Sequence, residues 1–229
     1  MNILILSATT GAGHMRASQA LKKYIEKHQE DVNVEIVDAL EYISHVLKKT
    51  VTEGYKQMVK KAPKVFASIY KSTNKDRKMG SFVPFIMGFI SRWIMPVIKE
   101  FNPDIIVTTH PFNAEMISNL RESKKIDIPH LCILTDYAPH LTWINKNVDS
   151  YVVASNDMVE LMVKMGVDKN IVHPFGIPVD MAFYSYHDKE SIMSNINFDP
   201  KLPTILIMAG SFGVNDILNI YDNIVEIDY

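Results

Sequence analysis

A histidine at position 14 closes the stretch ILILSATTGAGH, where an apolar run beginning at Ile3 stops at a small loop containing Gly11 and Gly13. The ordinary pKa of histidine, about 6.5, lies close to working pH, so an imidazole at the mouth of such a loop is equipped to move a proton. Two further candidates hold comparable positions: His110 closes IIVTTH, and Asp136 closes HLCILTD. Three readings of the first loop compete. A phosphate-binding P-loop needs Lys followed by Ser or Thr after its last glycine, and here His14 and Met15 occupy those places. A dinucleotide fingerprint needs a third glycine where Arg16 stands, although Asp38 ends the next apolar run as a ribose-binding acid would. A plain strand-to-helix turn accounts for the glycines but leaves a histidine facing the cleft.

The elements that must position these side chains follow from hydropathy. NILILSA, VNVEIVDAL, PDIIVTTHP, PHLCILTDY and SYVVAS are short, nearly continuous apolar runs. Such runs predict strands buried on both faces. Between them, Met15–His28, Asn113 to about Ser123 and NDMVELMVKMG carry helical periodicity, with Gly166 as the expected C′ residue of the last. NIVHPFGIPVD reads as a short strand and turn. Strands alternating with helices predict an α/β fold, a Rossmann-like doubly wound parallel sheet, whose ligands bind beyond the carboxyl ends of the strands. The polar segment SNINFDPKLP reads as a linker, so a first domain over residues 1–195 is expected. After it TILIMAGSFGVNDILNIYDNIVEI repeats the opening theme of strand, glycine turn and helix, the start of a second α/β domain over residues 200–229.

Composition narrows the classes. The 229 residues are 47% hydrophobic with a formal net charge of -2. The lone cysteine, Cys132, excludes an intramolecular disulfide and reads as a buried reduced thiol. The first apolar run is too short and lacks the basic flank of a signal peptide. No run reaches the roughly 20 residues needed to span a bilayer. A cytoplasmic protein is expected. The charge is uneven: between Lys48 and Lys78 ten lysines and arginines face two acids. That segment belongs to no nucleic-acid motif, so no nucleic-acid partner is expected.

The motifs TTGAGH, TTHPF, LTDYAPHLTWINKNVDSYVVAS and FGIPVD, in that order, resemble the diacylglycerol glycosyltransferases, the family of monogalactosyldiacylglycerol synthases and processive diacylglycerol β-glucosyltransferases. The resemblance runs from residue 2 to about 220. It implies that the chain is the N-terminal, acceptor-binding half of a GT-B glycosyltransferase with the beginning of its UDP-sugar-binding half. It also implies an inverting transfer from UDP-glucose or UDP-galactose to diacylglycerol, with no cofactor and no metal. In that reaction His14 is the candidate base. Asp136 is the rival base, or a carboxylate that orients His14. Gly11, Gly13, His110, Pro111, Tyr137, His140 and Trp143 are candidate acceptor-binding residues; packing beneath the loop is the competing role for His140 and Trp143. Gly210, Ser211 and Gly213, at a turn leading into a helix, suit the donor diphosphate through backbone amides. The family's Pro-Gly-Gly loop with its downstream glutamate is not within these 229 residues, so the isolated chain is expected to be inactive. A non-catalytic lipid-binding module is therefore an alternative. A relative of the transferase that glycosylates undecaprenyl-linked muramyl-peptide is another.

An acceptor held in a bilayer demands a membrane contact. FVPFIMGFISRWIMPVI has twelve large apolar residues in seventeen and follows the basic segment. Lys75, Arg77, Lys78, Phe82, Phe85, Phe89, Arg92 and Trp93 are the expected contacts with an anionic membrane surface, on the inner face of the cell membrane. A helix packed beneath the sheet is the competing reading.

Overall fold

The computed structural model describes residues 1–9, 11–43, 91–199, 201–208 and 217–226. It divides into two compact units, Met1–Asp180 and Met181–Tyr229.

The first unit carries a six-stranded sheet in the order β2-β1-β3-β4-β5-β6. Its strands are β1 (Asn2–Ser7), β2 (Asn33–Asp38), β3 (Ile105–Thr108), β4 (His130–Ile133), β5 (Ser150–Val152) and β6 (Val172–His173). Every neighbouring pair is parallel. The Rossmann-like doubly wound sheet expected from the sequence is present. The helices of this unit are α1 (Ala12–His28), α2 (Ala39–Ile43), α3 (Met95–Phe101), α4 (Pro111–Glu122) and α5 (Asn156–Lys164). Successive side chains of a strand point to opposite faces, and β1 shows why its sequence is apolar throughout. Leu4 and Leu6 join a core with Ile106, Met116 and Ile117, whereas Ile3 and Ile5 join another with Val34, Val107 and Ile133.

The chain passes from β1 to β2 on one side and later returns to place β3 on the other side of β1. The strand order therefore reverses between β1 and β3, and a crevice opens there beyond their carboxyl ends. His14 follows β1 and His110 follows β3, so the topology sends both to this crevice.

Two helices start earlier than their periodicity predicts. α1 begins at Ala12 rather than Met15, because Gly11 adopts φ 108° and ψ 152° and turns the chain one residue before the helix. Only glycine enters that region without strain. His14 thus lies within the first helical turn. α4 begins at Pro111, not Asn113: proline suits the first helical position, where its missing N–H is not needed. His110 is its N-cap, accepting from the Phe112 N–H at 3.2 Å. The end of α5 is as expected, with Gly166 at C′ and φ 94°.

Of the apolar stretch 82–98, residues 91–98 lie among those described. Ile94, Val97 and Ile98 pack into the core beneath the sheet, and Trp93 is 43% exposed beside exposed Arg92. Lys75, Arg77, Lys78, Phe82, Phe85 and Phe89 lie outside the described residues. No helix among the described residues is long and apolar enough to cross a membrane.

In the second unit, α6 (Lys189–Asn195) is capped by Asp188, whose carboxylate accepts from the Ser191 N–H at 3.1 Å, and α7 spans Ile217–Val225. The strand expected at TILIM does not form: residues 204–208 carry no strand, and Leu206 and Met208 stand 76% and 75% exposed. A strand is held by ladder hydrogen bonds to a neighbour, and none pairs with this segment among the described residues. Gly210, Ser211 and Gly213 lie outside them.

A polar cluster, buried at Thr108 and His130 and open to solvent at Asp149, ties β3, β4 and α4 together on the first unit. His130 is 1% exposed. Its Nδ1 donates toward the Asn147 carbonyl at 3.4 Å, and its Nε2 lies 2.9 Å from Thr108 Oγ1. The Arg121 guanidinium grips Asp149 through two bonds of 2.6 and 3.1 Å, and Asp149 accepts the His130 backbone N–H at 2.7 Å. Burial pushes the His130 pKa down to about 4. The unfolded chain therefore binds a proton between about pH 6.5 and 4 that the folded chain refuses, so stability is full above pH 6.5 and declines as pH falls toward 4. We expect a loss of about 3 kcal/mol from this residue by pH 4, where the unfolded imidazole is protonated and the folded one, with its pKa at about 4, is half so. Urea unfolding of the wild type and of His130→Gln at pH 7 and 4 checks it; an equally steep decline in the variant would assign the loss elsewhere.

Candidate active site

Three strand ends meet at the crevice. From the first turn of α1, His14 Nδ1 lies 2.7 Å from the Thr109 carbonyl oxygen, just past β3. A carbonyl only accepts, so Nδ1 carries the hydrogen and the neutral ring keeps its lone pair on Nε2. That is the protonation pattern of a base whose working nitrogen is Nε2. Thr135, two residues past β4, places its Oγ1 2.7 Å from the same Nδ1. His110 stands edge-on to His14, with ring centroids 4.6 Å apart and planes at 75°.

Beneath the imidazole lies a buried row of hydroxyls. Ser18 donates to the His14 carbonyl at 3.0 Å and lies 2.9 Å from Thr109 Oγ1, which in turn donates to Ser7 Oγ at 3.1 Å. Ser7, Ser18 and Thr109 are all 0% exposed. The row therefore braces α1 against the ends of β1 and β3 and fixes the carbonyl that His14 uses.

Burial lowers the His14 pKa below 6.5; the bond to the Thr109 carbonyl and the negative charge of Asp136 pull it part of the way back. The ring is neutral at neutral pH and able to accept a proton. Burial, reinforced by the charge His14 would carry, drives His110 down to about 3, and its Nδ1 is engaged in capping α4.

Asp136 does not hold the His14 ring, a position Thr109 and Thr135 occupy. Its Oδ2 accepts from Trp143 Nε1 at 2.7 Å, and it acts on His14 through charge alone. Trp143 is 0% exposed within the core formed with Cys132, Leu134 and Tyr151, and His140 is 2% exposed. His140 caps the short 3-10 turn Leu141–Trp143 by accepting from the Thr142 N–H at 3.3 Å. Tyr137, beside Asp136, is 85% exposed. Pro111 is the first residue of α4. A Cβ added at Gly11 or Gly13 would meet nothing within 4 Å, so the loop's face is open. The dinucleotide reading loses its acid: both oxygens of Asp38 accept backbone N–H groups, from Thr9 and Glu41, at 3.0 Å. No group of three His, Cys, Asp or Glu side chains among the described residues is arranged to hold a metal ion. In FGIPVD, the Gly176 N–H bonds the Val153 carbonyl at 3.0 Å, and Asp180 takes a 2.6 Å ion pair from Lys23 of α1.

Sequence reasoning missed Thr109, Thr135 and the serines. Thr109 acts through its carbonyl, which every residue type has, and small hydroxyl residues near glycines read as turn formers.

Comparison with known proteins bears on this crevice. The profile of the family described as monogalactosyldiacylglycerol (MGDG) synthase matches residues 14–179. A processive diacylglycerol beta-glucosyltransferase of Staphylococcus epidermidis (strain RP62A) is 30% identical over 219 residues, covering 93% of this chain and 53% of that protein. Its counterpart in Staphylococcus aureus (strain MRSA252) is 31% identical with the same coverage. The chain thus spans about half the length of the curated relatives it matches. Among solved structures, the lipopolysaccharide outer core galactosyltransferase WaaB in its apo form aligns with a TM-score of 0.40 at 14% identity, over 75% of this chain and 44% of that one. With more than half of its residues, His14 itself at their start, inside the matched profile, the chain belongs to the monogalactosyldiacylglycerol synthase family.

Proposed function

We propose that this chain supplies the acceptor-binding half of an inverting GT-B glycosyltransferase that moves a hexose from a UDP-sugar to diacylglycerol. The observation that carries the reading is the His14 ring, held by Nδ1 at the strand ends of β1 and β3 so that the neutral ring keeps its lone pair on Nε2. In this reading the acceptor hydroxyl gives its proton to Nε2 as its oxygen attacks the anomeric carbon. The bond from that carbon to the UDP oxygen breaks, and UDP leaves with the electron pair. Asp136 stabilises the imidazolium that forms. Gly11, Gly13, His110, Pro111 and Tyr137 line the acceptor path. His140 and Trp143 shape the Asp136 loop from below.

The donor side belongs to the domain that begins after the linker, residues 1–195 forming the acceptor domain and 200–229 the start of the next. Gly210, Ser211 and Gly213 would offer backbone amides to the diphosphate of UDP-glucose or UDP-galactose. The basic and aromatic residues from Lys75 to Trp93 would rest on an anionic leaflet, placing the protein peripherally on the inner face of the membrane. No cofactor takes part.

The test offers UDP-glucose and UDP-galactose to the chain joined to the C-terminal half of the Staphylococcus aureus relative, with diacylglycerol in vesicles containing phosphatidylglycerol. The expected product is hexosyl-diacylglycerol. Vesicle binding with no hexose transferred would return the chain to a lipid-binding module, and transfer to a polyprenyl-linked sugar in place of diacylglycerol would move it to another acceptor class.

A further inference from the structure

We infer that Thr135 is a positioning residue for His14: its hydroxyl is a second acceptor for the Nδ1 hydrogen and locks the tautomer and ring angle that expose Nε2. The inference rests on the proposed role of His14 as base. Thr135 Oγ1 and the Thr109 carbonyl oxygen each lie 2.7 Å from Nδ1. Since the carbonyl can only accept, the one hydrogen on Nδ1 is shared between two oxygens, and Thr135 must turn a lone pair toward it. Its own proton then points to the Thr109 carbonyl, 3.5 Å away. The three groups come from three separate elements: the first turn of α1, the end of β3 and the end of β4. Neither oxygen can drift independently, because Thr109 is braced by Ser7 and Ser18 and Thr135 follows directly from buried Leu134.

Two acceptors confine the ring where one would leave it free to swing about the bond. An imidazole that swings, or that moves its hydrogen to Nε2, presents no lone pair to an acceptor hydroxyl. A hydroxyl accepting from Nδ1–H also favours the charged ring.

The experiment compares wild type, Thr135→Val and Thr135→Ser. In the chain labelled with 15N at histidine, long-range proton–nitrogen spectra report which nitrogen of His14 carries hydrogen, across a pH titration. The wild type is expected to show Nδ1–H alone when neutral. Valine, which keeps the shape and removes the oxygen, is expected to admit the Nε2–H form and lower the pKa; serine is expected to restore both. In the joined transferase, valine is expected to lower kcat between about 10- and 100-fold with KM unchanged, the range for losing one hydrogen bond to a charged group. Valine spectra matching the wild type would overturn the inference. If valine shifts the tautomer while a His14→Gln enzyme still turns over normally, the positioning stands and the base reading falls.

Discussion

Replacing His14 by glutamine in the joined transferase lowers kcat by about 10²–10⁴-fold, the usual contribution of a positioned general base. Glutamine keeps an acceptor and a donor near the Thr109 carbonyl but offers no nitrogen that takes up a proton at neutral pH. The fold is expected to survive, because His14 is partly exposed in the first turn of α1 and α1 is anchored below it by Ser18. The pH profile makes the assignment specific. A base must be neutral to accept a proton, and burial places the His14 pKa below 6.5, so the acid limb of kcat/KM is expected below pH 6.5. Asp136 raises that pKa; Asp136→Asn therefore moves the limb to still lower pH and weakens the base. An unchanged limb in Asp136→Asn, or normal turnover in His14→Gln, would remove the imidazole from the proton-accepting role.

Trp143→Ala is the substitution expected to cost the fold most, about 3–5 kcal/mol, the range for truncating a buried aromatic side chain to alanine. Trp143 is 0% exposed in the core shared with Cys132, Leu134 and Tyr151, and its removal leaves a cavity there. It also strips Asp136 of the indole N–H at 2.7 Å. Trp143→Phe weights the second effect: it keeps a six-membered ring, leaves a smaller void and loses the charge-assisted bond, about 1.5–3 kcal/mol. Urea unfolding at pH 7 gives both values. A Trp143→Ala midpoint within about 1 kcal/mol of the wild type would mean that the loop, not the indole, holds this corner.

The sheet was legible in the amino-acid sequence because a strand covered on both faces must be apolar at every position. NILILSA, PDIIVTTHP and PHLCILTDY admit little else. The carboxyl-end placement of His14, His110 and Asp136 followed from the same rule, as did the C′ glycine of α5. Helix starts were less legible. Gly11 and Pro111 act through backbone geometry, which extends α1 and α4 beyond their apolar periodicity. TILIM has the composition of a strand, yet residues 204–208 have no ladder partner among the described residues.

The strand and helix types, the crevice at their ends and the titratable residues beside it were determined by the sequence alone, because hydropathy and residue chemistry are properties of each position. Which atoms meet was decided only by the tertiary structure. By sequence Asp136 is a rival base or a carboxylate that orients His14; in the structure its Oδ2 accepts from Trp143 Nε1, and a backbone carbonyl and a threonine hydroxyl hold the ring. His110 caps α4. The reason is physical: hydrogen-bond partners 95 and 121 residues apart are chosen by sheet register and by burial, and neither is written in any local pattern.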